Sequence, residues 1–246
     1  MLGDEMNSAT PSHDESQQPD PFMSLRHGGV ELYLVRHADA LPDADEVANG
    51  GYDAQALSAL GRRQAEALAD RLRAISLAAI YTSPMARAIQ TAGPTAVSHE
   101  LEIQPVEELR EIALGTLESD ALAGTTPEEV SALLRTRLRE IATIAVSTGS
   151  WESIPGAEPS ALLRARLTSA MDRIIAAHPG ERILIVSHAG AINAYLAALL
   201  GIAHDYFFPT ANTSISVVRA QGERRMLFSL NDIAHLAQTG LFSPRD

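Results

Sequence analysis

Residues 26–40 read RHGGVELYLVRHADA and carry the dipeptide Arg-His twice, at Arg26-His27 and at Arg36-His37. Between the two lies LYLV, residues 32–35, an apolar run without period-2 alternation. Such a run fits a strand buried on both faces, as in a parallel sheet covered by helices. Two further runs share the pattern, AAIY at 78–81 and ILIV at 183–186. The first two are separated by LSALGRRQAEALADRLRAI, whose Leu60, Leu68, Leu72 and Ile75 fall on one helical face with charged residues opposite. Strand, helix and strand in that order make a right-handed crossover unit.

The same alternation continues. After YTSP, Ser83 suits an N-cap and Pro84 the first helical position, so MARAIQTA extends a second helix. A further strand is expected near Glu102 to Gln104. TPEEVSALLRTRLREIATI, residues 126–144, opens with Thr, Pro and acids and reads as an inserted helix. EPSALLRARLTSAMDRIIAAHPG is another, stopped by Pro179-Gly180, and AINAYLAALLG follows the third strand and ends at Gly201. In SISVVRAQGERRMLFSL two β-rich runs flank Gln221-Gly222, a hairpin that adds antiparallel strands at an edge. The expected fold class is therefore α/β, a three-layer α/β/α sandwich with a mostly parallel central sheet and an antiparallel edge. Residues 1–29, rich in Ser, Pro, acids and amides up to about Pro21, read as a disordered amino-terminal tail. Residues 30–246 read as a single domain with a helical insertion at about 119–156.

Bulk properties narrow the function. The 246 residues include no cysteine, which removes disulfides and thiolate metal sites and fits a reducing, cytoplasmic location. No signal-like segment opens the chain, and no apolar run approaches the roughly 20 residues that span a bilayer. The formal net charge of −12 repels nucleic acid and anionic membranes, so neither is expected as a partner. A phosphorylated substrate needs a local basic pocket to overcome that field. His13, His99, His178, His204 and His235 show no paired metal spacing, so no metal site is expected.

Parallel strands end on one edge, and ligands bind in the crevice there. Three strands end in VRHA, YTSPMAR and VSHAG, which brings Arg36, His37, Arg87 and His188 to one rim. Each end feeds a loop or a helix N-terminus, where free N–H groups favour an anion. Two arginines, two histidines and a helix end describe a phosphate pocket. By position, Arg36-His37 is the functional pair. Arg26-His27 precedes the strand and belongs to the opposite edge or the tail.

LYLVRHA, LSALGRRQA, YTSPMARAIQTA, LREIALGTLE, IPGAEP and VSHAGAINA occur in the order found in the histidine phosphatase superfamily, and the chain resembles its phosphoglycerate-mutase-like branch from roughly Val30 to Leu230. The resemblance implies that His37 is a nucleophile forming a phosphohistidine, and that Arg36 and Arg87 bind phosphate. It implies that His188 donates to a phosphoryl oxygen, and that Glu111 protonates the leaving oxygen and then takes a proton from water. Glu107 and Glu108 share its acidic run and compete with it for that role. No metal or organic cofactor is required by this chemistry. Arg62 and Arg63 are expected on the solvated helix face.

The chain departs from the family where it carries Ala38, Asp39 and Asp43 after the histidine, in place of Gly-Glu and a later Asn. An ionised Asp cannot donate to phosphate, so Asn49 or backbone amides are expected to replace the donor. Leu117 and Ser119 stand where the family usually has Trp and Gly. The absence of an ERHYG-type segment around the acid favours simple hydrolysis. The expected activity is metal-independent hydrolysis of a small phosphorylated metabolite. Phosphoglycerate-mutase-type transfer is the alternative, and a non-catalytic binding protein on the same fold comes third. A homodimer is compatible with all of these residues.

Overall fold

The computed structural model describes residues 20–40, 55–113, 127–154 and 156–242. In chain order these form β1 (Val30–Arg36), α1 (Ala59–Leu72), β2 (Ala79–Thr82), α2 (Ala86–His99), β3 (Ile103–Pro105) and α3 (Pro127–Thr148). They continue as α4 (Ser160–Ala177), β4 (Arg182–Ser187), α5 (Ala189–Leu200), β5 (Ile215–Gln221), β6 (Arg224–Asp232) and α6 (Ala234–Thr239).

The six strands form one sheet in the order β3-β2-β4-β1-β5-β6. β3, β2, β4 and β1 run parallel, and β5 and β6 are antiparallel additions on the far side of β1. The hairpin falls at Gln221-Gly222, where Gly222 takes a positive φ of 56°.

Alternate residues of the apolar strands feed opposite cores, which is why the sequence shows no polar beat. Leu32 and Leu34 of β1, with Ile183 and Ile185 of β4, pack on Leu163, Leu167 and Met171 of α4 and Ile192 and Tyr195 of α5. Val35, Ile80, Leu184 and Val186 face the other way, onto Leu68 and Leu72 of α1 and the Ala88, Ala92, Ala96 ridge of α2. Small residues on that ridge let α2 approach the sheet closely. Truncating a wholly buried leucine here, such as Leu68, costs about 2–5 kcal/mol. Leu60 does not join this face: it packs with Ala67, Leu236 and Leu241 beneath α6.

Two boundaries differ from those expected. Residues 20–29 pack onto the domain, with Met23 only 3% exposed and the chain turned by Asp20, whose carboxylate accepts from the Ser24 amide at 2.7 Å. Folded structure therefore begins before Val30. α2 begins at Ala86 with Met85 at the N-cap, and the Ser83 hydroxyl accepts from the Met85 amide at 3.3 Å while also meeting a distant side chain described below. α3 falls within the stretch expected as an insertion; the first residues of that stretch, with Leu117 and Ser119, lie outside the described residues, as do Asp43, Asn49 and the rest of 41–54. No helix among the described residues is long and apolar enough to cross a membrane.

Candidate active site

Register explains why distant residues meet. Arg36 pairs with Ser187 and Thr82 with Val186, so the next residue of each strand emerges on the same edge of three neighbouring strands. The His37 amide extends the ladder to the Ser187 carbonyl at 2.9 Å, and the Ser83 amide reaches Val186 at 2.9 Å. His37 and His188 face each other there, with ring centroids 5.1 Å apart.

A carbonyl can only accept, so the 2.8 Å contact between His37 Nδ1 and the Ala38 oxygen puts the proton on Nδ1 and leaves the lone pair on Nε2. The His37 carbonyl is held in turn by Asn212 Nδ2 at 2.7 Å. Burial, then Arg87, then Arg36 hold this imidazole well below the ordinary histidine range, and the Ala38 contact only partly opposes them. His188 is wholly buried and is likewise held well below that range by burial, Arg87, His37 and Arg36. Its Nε2 lies 2.8 Å from Ser83 Oγ, while its Nδ1 has no partner among the described residues.

Both arginines are anchored. Arg87 is 1% exposed, and its guanidinium contacts Met85 Sδ at 3.2 Å. Arg36 donates to the Thr210 carbonyl, and its buried Nε has no partner among the described residues.

The three acids of the 107–111 run separate cleanly. Glu107 pairs with Arg110 and Glu108 with Arg173, both on the exposed side. Glu111 instead turns to the start of α5, where its carboxylate accepts from Gly190 N at 3.2 Å and from Ala191 N at 3.0 Å. The helix end that looked open to an outside anion is thus engaged by the protein's own carboxylate, two residues beyond His188. A Cβ at Gly190 would lie 2.5 Å from Glu111 Oε1, so any larger residue there must push the carboxylate from its place.

Asp39 is engaged by the N-cap and first turns of α1. Its carboxylate accepts from Ser58 Oγ at 2.5 Å and its amide donates to Gln64 Oε1 at 2.9 Å. The Asp39 carbonyl sits so close to α1 that a Cβ at Gly61 would meet it at 2.0 Å. Asp39, which cannot donate to phosphate while ionised, ties the residues just after His37 to the start of α1. Arg62 and Arg63 are exposed, as expected.

The supporting residues are less visible in sequence. Asn193, wholly buried in α5, donates to the Phe208 carbonyl and Thr210 Oγ1 and accepts from the Phe207 amide at 3.0 Å. It thereby fixes the segment that supplies Thr210 to Arg36 and Asn212 to His37. An amide within the otherwise apolar AINAYLAALL is the signal that marks it. Tyr206, in the same segment, stacks edge-on against Trp151 with centroids 5.6 Å apart. Burial raises its phenol above the usual range, with Arg36 opposing and Glu111 adding to the shift.

An α/β sheet whose parallel strand ends gather two neutral imidazoles, two guanidiniums and a carboxylate defines a protein of the phosphoryl-transfer class. The chain matches the histidine phosphatase superfamily (branch 1) over residues 32–233 and belongs to that family. A probable phosphoglycerate mutase of Yersinia enterocolitica is 32% identical over 173 residues, 70% of this chain and 76% of that protein. Among solved structures, YhfR of Bacillus stearothermophilus superposes with a TM-score of 0.65 at 27% identity, covering 84% of this chain and 99% of that one. A mycobacterial glucosyl-3-phosphoglycerate phosphatase does so with a TM-score of 0.60 at 25% identity, covering 82% and 99%. Phosphatases and mutases thus both occur among the relatives.

Proposed function

We propose that the protein is a phosphomonoesterase that passes the phosphoryl group through His37. The observation that carries this reading is the Nδ1 contact of His37 with the Ala38 carbonyl, which leaves a neutral Nε2 lone pair beside two guanidiniums. Nε2 attacks phosphorus, an N–P bond forms, and the ester P–O bond breaks. In this reading Glu111 acts as the general acid and gives a proton to the departing oxygen. Water then attacks phosphorus, the N–P bond breaks, and Glu111 recovers a proton from the water.

Arg36 and Arg87 bind the three phosphoryl oxygens and offset the charge that develops on them. If the Ser83 hydroxyl donates to His188 Nε2, the proton on that ring sits at Nδ1, available to a phosphoryl oxygen. The depressed pKa of His37 keeps its ring neutral, so its lone pair is not lost to premature protonation. Every step uses side chains of this chain, so turnover is expected in the presence of a chelator. The segment LREIALGTLES, without an ERHYG-type motif, favours release to water over return to a second hydroxyl.

The test is phosphate release from an aryl phosphate and a panel of metabolite phosphates with chelator present. Hydrolysis of panel members supports the reading. Conversion of one phosphoglycerate isomer to another, dependent on a bisphosphorylated primer, would replace it with the mutase reaction.

A further inference from the structure

Segment 108–111 carries Glu111, yet beyond the short turn Glu107–Leu109 it belongs to no helix or strand. Each of its four carbonyls is held by a side chain from elsewhere. Ser187 Oγ donates to the Leu109 carbonyl at 2.8 Å. Arg166 of α4 takes the other three: Nη1 donates to Glu108 O at 2.6 Å and Arg110 O at 2.9 Å, and Nη2 to Glu111 O at 3.1 Å. The remaining face of the guanidinium meets Glu158, Nε to Oε1 at 2.7 Å and Nη2 to Oε2 at 2.8 Å. The Glu158 amide also donates to Ala113 O at 2.7 Å. The same pair therefore grips the segment on both sides of Glu111.

We propose that Arg166 is a positioning residue: by holding the carbonyls of Glu108, Arg110 and Glu111 it fixes the Glu111 carboxylate at the start of α5. The inference rests on the reading of Glu111 as the proton donor to the leaving oxygen. Its physical basis is the planar fork of arginine. One guanidinium reaches three carbonyls and a carboxylate at once, and its charge is compensated by Glu158 without recruiting Glu111 itself. An ordinary salt bridge to Glu111 would take up the carboxylate. A grip on its backbone leaves the carboxylate to the amides of Gly190 and Ala191. Misplacing a reacting group by about 1 Å can cost on the order of 100-fold in rate.

A merely structural arginine and a positioning one differ in how their loss depends on the leaving group. p-Nitrophenolate departs with little help from an acid, whereas an alkoxide needs the proton. The experiment compares kcat/KM for p-nitrophenyl phosphate and for a simple alkyl phosphate in the parent, Glu111→Gln, Arg166→Met, Arg166→Lys and Glu158→Gln. Glu111→Gln should lose far more activity with the alkyl ester. Arg166→Met should follow it, with a loss about 10-fold to 100-fold greater for the alkyl than for the aryl substrate. Arg166→Lys should share the direction, since one ammonium cannot span three carbonyls. If Arg166→Met does not fold, Glu158→Gln, which keeps size while loosening the grip, should show the same selective loss.

Equal losses on both substrates in the Arg166 and Glu158 variants, with selective loss in Glu111→Gln, would overturn the proposal alone. No selective loss in Glu111→Gln would overturn the reading beneath it as well.

Discussion

The two Arg-His pairs of this chain lie at opposite edges of one sheet and share little beyond their letters. His27 ends a short 3-10 turn, with a side chain 67% exposed and paired to Asp20 at 3.1 Å. Around it the charges are bridged locally: Glu31 joins Arg182 at 2.8 Å and Arg219 at 2.9 Å, and the His27 carbonyl is taken by Gln221. At His37 the arrangement is reversed. Two guanidiniums bear on two neutral imidazoles, and the nearby carboxylate of Glu111 is occupied by helix amides. Pairing of charges makes an edge that fastens the fold. Two guanidiniums set beside two neutral imidazoles make an edge of the kind the proposed phosphoryl chemistry needs.

The contrast can be broken most forcefully at His37. His37→Ala should lower phosphatase kcat/KM on the order of 1,000-fold or more, read by steady-state phosphate release. A value within a few-fold of the parent would mean that the two edges do not differ in chemistry. Gly190→Ala is the next largest effect. The methyl group would meet Glu111 Oε1 and Ile112 Cγ2, so kcat should fall about 10-fold while Tm changes little, because the displaced atom ends a flexible side chain.

Acid stability sharpens the comparison further. His37 and His188 have folded pKa values held below the ordinary histidine value, so below about pH 6.5 the unfolded chain takes up protons that the native state refuses. The stability these neutral rings contribute is present above that value and is lost as pH falls, by up to about 1.4 kcal/mol per pH unit for each ring. Tm should drop from pH 7 to pH 5, and His188→Gln should flatten that slope. A parallel slope in the variant would contradict the burial of an uncharged ring. The smallest effect belongs to His27→Ala, expected to leave kcat/KM within about two-fold of the parent, as surface changes outside a site usually do.

The strands read from apolar runs and the meeting of their ends are present in the structure, whereas Leu60, read onto the core face of α1, packs beneath α6, and long-range side-chain contacts leave no local signal. LYLV, AAIY and ILIV mark strands because burial on both faces removes the polar beat, and a parallel sheet then places their ends together. Ser83 shows the limit: its type and spacing fit a helix cap, and its hydroxyl does accept from the Met85 amide, but nothing local shows that it also meets His188, 105 residues away. Only the charge of Asp39 is legible in sequence; its partners Ser58 and Gln64 are reached through packing on α1. Arg166 and Asn212 act through backbone carbonyls, which carry no sequence signature. Asn193 alone was open to detection, as a polar residue in an apolar helix.

The central claim is that phosphate passes through His37, and the direct measurement is trapping of the phosphoenzyme. The parent would be quenched during turnover of an aryl phosphate under conditions that preserve phosphohistidine, then digested and mapped by mass spectrometry. The account predicts one phosphoryl group on the peptide carrying His37, absent from His37→Ala and unaffected in His27→Ala. A phosphoryl group on the His27 or His188 peptide, or full turnover with none trapped in the parent or in Glu111→Gln, would contradict it.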